Sequence, residues 1–131
     1  MNRTAGENPS SSVQEAVEAA MDRHTEDSRW EAIYLFSSDG FVMARSGRTE
    51  MDLEACLLQF VFALTGTVEL LDENQPAGEI CIRTFKGRRL IFRFFKAFEE
   101  SMILAAVTQG RKGYIRAMNS LIRELQAHGL S

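Results

Sequence analysis

Few residues of this 131-residue chain have the types and spacing that chemistry requires. The two cysteines, Cys56 and Cys81, each lie in an apolar segment without CxxC spacing, which predicts two buried and reduced thiols. The two histidines, His24 and His128, do not stand in the ligand spacing of a zinc site. We therefore predict no catalytic residue, no metal and no cofactor, and a protein that is not an enzyme.

Glycine-rich sequences that bind nucleotides are also missing. No GxxxxGK[ST] motif occurs, so the chain is not itself a P-loop nucleotide-binding protein. The sequence Gly110-Arg111-Lys112-Gly113 precedes a predicted helix and could hold an anion on its backbone amides. A plain loop accounts for the same residues and is the favoured interpretation.

Basic side chains are concentrated in the second half of the chain. Residues 1–77 carry 14 acidic and 5 basic side chains, whereas residues 78–131 carry 4 and 10. Basic residues interleaved with Phe85 and Phe95 could hold single-stranded nucleic acid, but the net charge of −3 argues against that partner. A charged outer face beside the core accounts for these residues and is the favoured interpretation, and we predict no nucleic-acid binding. Docking onto an acidic protein surface is the functional alternative. The predicted docking residues are Arg83, Arg88, Arg89 and Arg93.

Hydrophobic spacing predicts the elements that position these side chains. Residues 1–12 have almost no apolar side chains and predict a disordered tail. Residues 13–29 contain the apolar spacing of an extra N-terminal helix. Two apolar segments around Ser38-Asp39-Gly40 then predict a hairpin, because Asp-Gly favours the positive φ angles of a tight turn.

The longest predicted helix, from Glu50 to Leu71, is apolar on two faces. The first face is predicted to cover a sheet. It consists of Leu53, Leu57, Phe60, Val61, Leu64, Val68 and Leu71. The second face lies roughly 120° away around the helix and needs another partner. It consists of Met51, Ala55, Leu58 and Phe62.

Three strands and a helix complete the predicted fold. Residues alternate in type along 79–85 and 88–96, and the segment 101–108 is apolar on both faces. This pattern predicts a three-strand meander whose last strand is covered on both faces. An amphipathic helix follows from Tyr114 to Gly129. The predicted fold class is α/β (α+β), a five-stranded antiparallel sheet sandwiched by helices in the order α-ββ-α-βββ-α.

Membrane insertion is not expected. No segment has the run of about eighteen apolar residues that a spanning helix needs, and the N-terminus has no apolar signal core. We predict a cytoplasmic protein without a membrane span.

Residues 30–127 resemble the roadblock/dynein light chain family. The resemblance lies in the stretch AIYLFSSDGFVMARSG, the long apolar helix after it, and the runs GEICIRTF, RRLIFRFF and SMILAAVTQGRKGYIRAMNSLIREL. It implies a roadblock, longin or profilin-like sheet with one helix on one face and two on the other, so residues 30–129 are expected to form a roadblock-like domain. The extra N-terminal helix makes the chain more similar to the bacterial GTPase regulators of the family.

Family members pair through the central helix and the edge strand beside it, so the resemblance implies a homodimer. An uncovered edge strand favours pairing on physical grounds as well. The expected interface combines the second face of the long helix with the strand Glu79–Phe85. Its residues are Met51, Ala55, Leu58, Phe62, Ile80 and Ile82.

The resemblance further implies a non-enzymatic regulator or scaffold that binds a small Ras-like GTPase and modulates its nucleotide cycle. Two alternatives stay open: a small-molecule sensor of the PAS or profilin-like type, and a structural light-chain adaptor. A sensor needs polar groups that converge in an apolar pocket. The residues expected to face inward are all large and apolar, which predicts a filled core. They are Leu57, Phe60, Leu64, Leu90, Phe92 and Phe94.

Overall fold

The computed structural model describes residues 9–49, 51–71, 78–109 and 113–129. These residues form eight elements. They are α1 (Pro9–Ser28), β1 (Ala32–Ser37), β2 (Val42–Gly47), α2 (Met51–Leu71), β3 (Glu79–Arg83), β4 (Arg89–Ala97), β5 (Glu100–Thr108) and α3 (Ile115–Gly129). The predicted order α-ββ-α-βββ-α is confirmed, and so is the predicted fold class.

Two predicted boundaries differ from the structure. Helix α1 begins at Pro9, so residues 9–12 are helical and do not belong to the predicted tail, whose residues 1–8 lie outside the described residues. Proline suits the first turn of a helix because its fixed φ is already helical. Strand β3 ends at Arg83, before the predicted Phe85, because Gly87 N donates to Thr84 O (2.9 Å) and closes a turn. Residues 110–112 of the proposed anion loop are outside the described residues.

The five strands form one sheet in the order β2-β1-β5-β4-β3, with every neighbouring pair antiparallel. All six residues of β1 are buried. Strand β5 is also almost entirely buried. This loss of alternation follows from the helices on both faces, as the apolar run of the last strand predicted.

Helices α1 and α3 cover one face of the sheet. Met21 of α1 and Leu121 of α3 are both fully buried there. The fully buried strand residues of the same cluster are Ile33, Leu35, Ile91, Met102, Leu104 and Ala106. Helix α1 is therefore part of the core of the domain rather than an appendage.

Among the described elements, only helix α2 covers the other face. Leu57 and Val61 are buried against a cluster that contains Tyr34, Phe36 and Phe92. The rings of Tyr34 and Phe36 stack with their centroids 5.9 Å apart. The prediction that Leu71 packs on the sheet is wrong, because Leu71 is 80% exposed.

The free edge of β2 is covered by α1. The register of β1 and β2 shifts between Leu35 and Phe36, which leaves Met43 without a strand partner. The Met43 carbonyl instead accepts a hydrogen bond from Gln14 Nε2 (2.7 Å), and Ser46 Oγ donates to Asp22 Oδ1 (2.5 Å). Side chains of α1 thus block this edge, whereas β3 at the other end of the sheet has no such cover among the described residues.

Glu124 of α3 joins the two helices on that face. Its carboxylate accepts hydrogen bonds from Arg23 and from His24 Nε2 (3.0 Å), and His128 Nε2 lies 3.8 Å away. The hydrogen bond from Arg23 is the largest cause that lowers the pKa of Glu124 below its ordinary value of 4.5. Both histidines therefore lie beside one carboxylate.

The lowered pKa of Glu124 predicts how acid affects stability. Because the folded protein favours the carboxylate, this contribution is present above pH 4.5 and is lost as the pH falls through the lowered pKa. We expect Glu124→Gln to reduce the urea midpoint at about pH 7, and the difference from wild type to shrink toward about pH 3.5. Glu26→Gln, an exposed acidic side chain on α1, is the control. A difference that stays constant across this range would contradict the prediction.

Candidate protein-interaction surface

Strand β3 presents unpaired backbone groups at the edge of the sheet. Hydrogen bonds run from Thr84 N to Arg88 O (2.8 Å) and from Phe94 N to Gly78 O (3.0 Å), so the even-numbered residues of β3 are bonded to β4. The N–H and C=O groups of the odd-numbered residues consequently point away from β4. These residues are Glu79, Cys81 and Arg83. No described strand pairs with them.

Beside this edge lies an apolar area that α2 does not cover, which we call the apolar floor. Its residues are Ile80, Ile82, Leu90 and Phe94. Ile80, Leu90 and Phe94 pack against the α2-side cluster, and Ile82 lies opposite Leu90 in the strand register. All four are only half-buried. Helix α2 borders the floor with Phe60, whose ring centroid is 5.8 Å from that of Phe92. Leu90, Phe94 and Phe60 were predicted to lie in a filled core, and they are instead half-buried.

The second face of α2 lies on the opposite side of the helix from the floor. Ala55 is exposed, Leu58 is half-buried and Phe62 is 49% exposed. The Phe62 ring lies over the β1–β2 turn, where a Cβ on Gly40 would be 3.1 Å from it. The side chain of Met51 is outside the described residues. The six predicted interface residues are thus divided into an α2 group near the β1–β2 turn and a β3 group at the far edge.

An ion pair fixes the start of α2 over β2. Both carboxylate oxygens of Glu54 accept hydrogen bonds from Arg45, one from Nε and one from Nη2 (3.3 Å). Glu54 is only 7% exposed, and its hydrogen bond is the largest cause that raises the pKa of Arg45. The pair holds α2 toward the β2 side of the sheet, away from the apolar floor. No sequence motif marks it, because its partners belong to different elements.

The predicted docking arginines lie on the β3–β4 hairpin with different neighbours. Arg83 and Arg89 are directly opposite each other in the strand register, and Arg93 Nε lies 3.8 Å from a Glu79 oxygen. The Arg89 guanidinium lies 5.8 Å from the centre of the Tyr114 ring. Arg88 instead donates two hydrogen bonds to Glu31 (2.7 and 3.2 Å). Arg83, Arg89 and Arg93 thus lie on the α3 side of the hairpin, whereas Arg88 lies in the turn between β3 and β4.

Tyr114 connects the start of α3 to the edge strand. Its hydroxyl donates a hydrogen bond to Glu79 Oε2 (2.7 Å). That bond, followed by burial and by the neighbouring Cys81 thiol, raises the pKa of Tyr114. The interaction positions Glu79 and Cys81 on the same side of the edge.

The prediction of two buried thiols is wrong. Cys56 and Cys81 are both exposed. Cys56 lies on a side of α2 that faces away from the sheet, and Cys81 lies in an edge strand that has no neighbour to cover it. An apolar sequence context indicated burial, but the position of each element in the fold determines exposure.

Other candidate sites are sparse in the described parts of the chain. No group of three histidine, cysteine or acidic side chains there could hold a metal ion. None of the described helices is long and apolar enough to cross a membrane. An open groove of about 700 Å³ lies beside the start of α2, and the Arg88–Glu31 ion pair forms part of its wall. Its other lining residues include Trp30, Arg48, Leu53 and Gln109.

By sequence, the chain matches no protein-family model and no curated protein. Its structure is similar to Myxococcus xanthus MglB, with a TM-score of 0.72, 18% identity and 87% of each chain covered. It is also similar to an MglB described as having a tetrameric arrangement (TM-score 0.65, 16% identity, 88% of this chain and 92% of that chain). A Roadblock/LC7 domain from Streptomyces avermitilis has a TM-score of 0.66 at 12% identity, with 87% and 98% covered. These similarities confirm the roadblock fold predicted from the sequence.

The Arg45–Glu54 pair provides a test of how α2 is positioned. Arg45→Met leaves the nearly buried carboxylate of Glu54 with fewer hydrogen bonds, so we expect the free energy of unfolding to fall by about 1 kcal/mol. This value is at the low end of the range for hydrogen bonds to charged groups, because Arg45 is half exposed. Arg45→Met combined with Glu54→Met should cost less than the sum of the two single changes. Urea unfolding of all four proteins measures this coupling, and strict additivity would contradict it.

Proposed function

We propose that this protein is a non-enzymatic, cytoplasmic, homodimeric regulator or scaffold that binds a small Ras-like GTPase and modulates its nucleotide cycle. The observation that carries the proposal is the fold shared with MglB and roadblock proteins across most of the chain. The uncovered edge of β3 and the apolar floor beside it supply the surface that such a protein needs for association.

A second copy of the chain is the partner that suits this surface. Pairing of β3 with β3 would satisfy the unpaired backbone groups of both edges in one step. The same pairing would place the second α2 beside the first, over the apolar floor. A tetrameric arrangement described for one structurally similar MglB supports self-association as a property of this fold.

The GTPase would dock through the basic hairpin. Arg83, Arg88, Arg89 and Arg93 concentrate positive charge on β3–β4, which suits an acidic surface and speeds encounter. Regulation would follow from differential affinity, since a partner that binds one nucleotide state more tightly shifts the population toward it. No catalytic side chain from this protein is required.

The two alternatives make different demands on the structure. A sensor would need space between α2 and the sheet, but Tyr34, Phe36, Phe92, Leu57 and Val61 occupy that region. We therefore favour protein binding over a ligand pocket. A structural adaptor would use the same surfaces with a different partner, so GTPase binding is the measurement that distinguishes it.

We expect light scattering to give twice the chain mass of 14.8 kDa for the wild type. Ile80→Asp with Ile82→Asp should give a folded monomer, because charges on the apolar floor oppose its burial. Leu58→Glu with Phe62→Glu places comparable charge on the other side of α2 and should leave the dimer intact.

Circular dichroism of each variant separates loss of association from loss of folding. A monomer produced only by the Leu58 and Phe62 changes would place the interface on the second face of α2. A wild-type monomer would contradict the homodimer altogether.

We expect the dimer to bind a small Ras-like GTPase of its source organism, with affinities that differ between its GDP-loaded and GTP-analogue-loaded forms. Arg88→Glu should weaken binding by about three- to ten-fold and reduce its sensitivity to salt, because a peripheral charge mainly affects association. Arg123→Glu, an exposed arginine on α3, is the matched control. Titration calorimetry or biolayer interferometry measures both, and no binding to any such GTPase would overturn the proposal.

A further inference from the structure

The free edge of β3 restricts how two copies can pair. Only the odd-numbered residues direct N–H and C=O groups outward, so hydrogen-bonded pairs must form among Glu79, Cys81 and Arg83. In a homodimer with two-fold symmetry, β3 pairs with the same strand of the partner. Because odd-numbered residues must pair with odd-numbered residues, one residue at the centre of the pairing lies opposite its own copy in the partner. The centres that keep most of this short strand paired are Ile80, Cys81 and Ile82.

Charge and apolar matching distinguish these three centres. A pair centred on Cys81 places Glu79 opposite the partner's Arg83 on one side of the sheet. On the other side it places Ile80 opposite the partner's Ile82. Opposite charges and β-branched residues are both favourable cross-strand neighbours.

The other two centres lose these matches. A pair centred on Ile80 sets Glu79 opposite the partner's Cys81, and a pair centred on Ile82 sets Arg83 opposite the partner's Cys81. In both cases the acidic and basic side chains no longer face each other. Only the centre at Cys81 uses every outward backbone group of β3, because all five of its residues then have a partner within the strand.

We infer that two copies of this chain pair antiparallel through β3 in the register centred on Cys81, which sets each Cys81 directly opposite the partner's Cys81. The inference rests on the proposed homodimer and specifies its geometry. In a hydrogen-bonded antiparallel pair the two Cα atoms are about 5.5 Å apart, within the range that a disulfide spans. The two thiols lie on the same side of the joined sheet, beside Tyr114 of each copy.

Cysteine crosslinking tests the register directly. Cys56→Ser leaves Cys81 as the only thiol and alters a residue that is exposed in the single chain. Diamide accepts the two electrons and two protons released as two thiols form one disulfide. Two matched proteins carry Ile80→Cys or Ile82→Cys together with Cys56→Ser and Cys81→Ser.

We expect the Cys81 protein to form a covalent dimer at least about ten times faster than either of the other two, because only its thiols are opposed. Non-reducing gel electrophoresis and intact mass measure the rate. Faster crosslinking at position 80 or 82 would overturn the register in favour of that centre. Light scattering of each reduced protein accompanies the assay. A dimer that fails to crosslink at Cys81 overturns the register alone, whereas a monomer overturns the homodimer as well.

A charge exchange provides a second test without new thiols. Glu79→Arg and Arg83→Glu should each weaken association by at least about ten-fold, because each places like charges opposite each other. The double variant restores both pairs and should regain most of the affinity. Dilution followed by mass photometry measures the dissociation constants. A double variant that dimerises no better than the single variants would contradict the pairing of Glu79 with the partner's Arg83.

Discussion

One helix is too narrow to cover a whole face of a five-stranded sheet, and this mismatch of width leaves the apolar floor exposed. Five strands about 4.8 Å apart span roughly 20 Å, whereas a helix with its side chains is about 10 Å wide. Helices α1 and α3 together cover one face. On the other face the Arg45–Glu54 pair holds α2 toward β2. The strands β4 and β3 are therefore left with an apolar surface that needs a partner.

The N-terminal helix has a further consequence for the edges of the sheet. Gln14 and Asp22 of α1 bond to β2 and occupy the one edge that could compete for strand pairing. Edge strands left open favour uncontrolled association. By closing β2, α1 leaves β3 as the one open edge of the described sheet, so strand pairing with another molecule could occur only there.

The uneven charge of the two halves of the chain is partly balanced within the fold. Glu31 of the acidic half pairs with Arg88 of the basic half, which offsets one charge of each excess. Much of the positive charge of the second half lies on the β3–β4 hairpin, next to the open edge.

The sequence by itself determined the helices and strands, their order and the fold class, because hydrophobic periodicity is local and each element needs an apolar face. It also indicated that α2 and β3 have surface to bury. Only the tertiary structure decided which surface that is. The exposure of Cys81 follows from the position of β3 at the edge of the sheet. Where α2 crosses the sheet determines the exposure of Cys56 and Leu71, the separation of Phe62 from Ile80 and Ile82, and the half-burial of Phe60 and Phe94. That position is set by contacts between residues distant in the chain, such as Arg45 with Glu54 and Phe60 with Phe92, which no local pattern encodes.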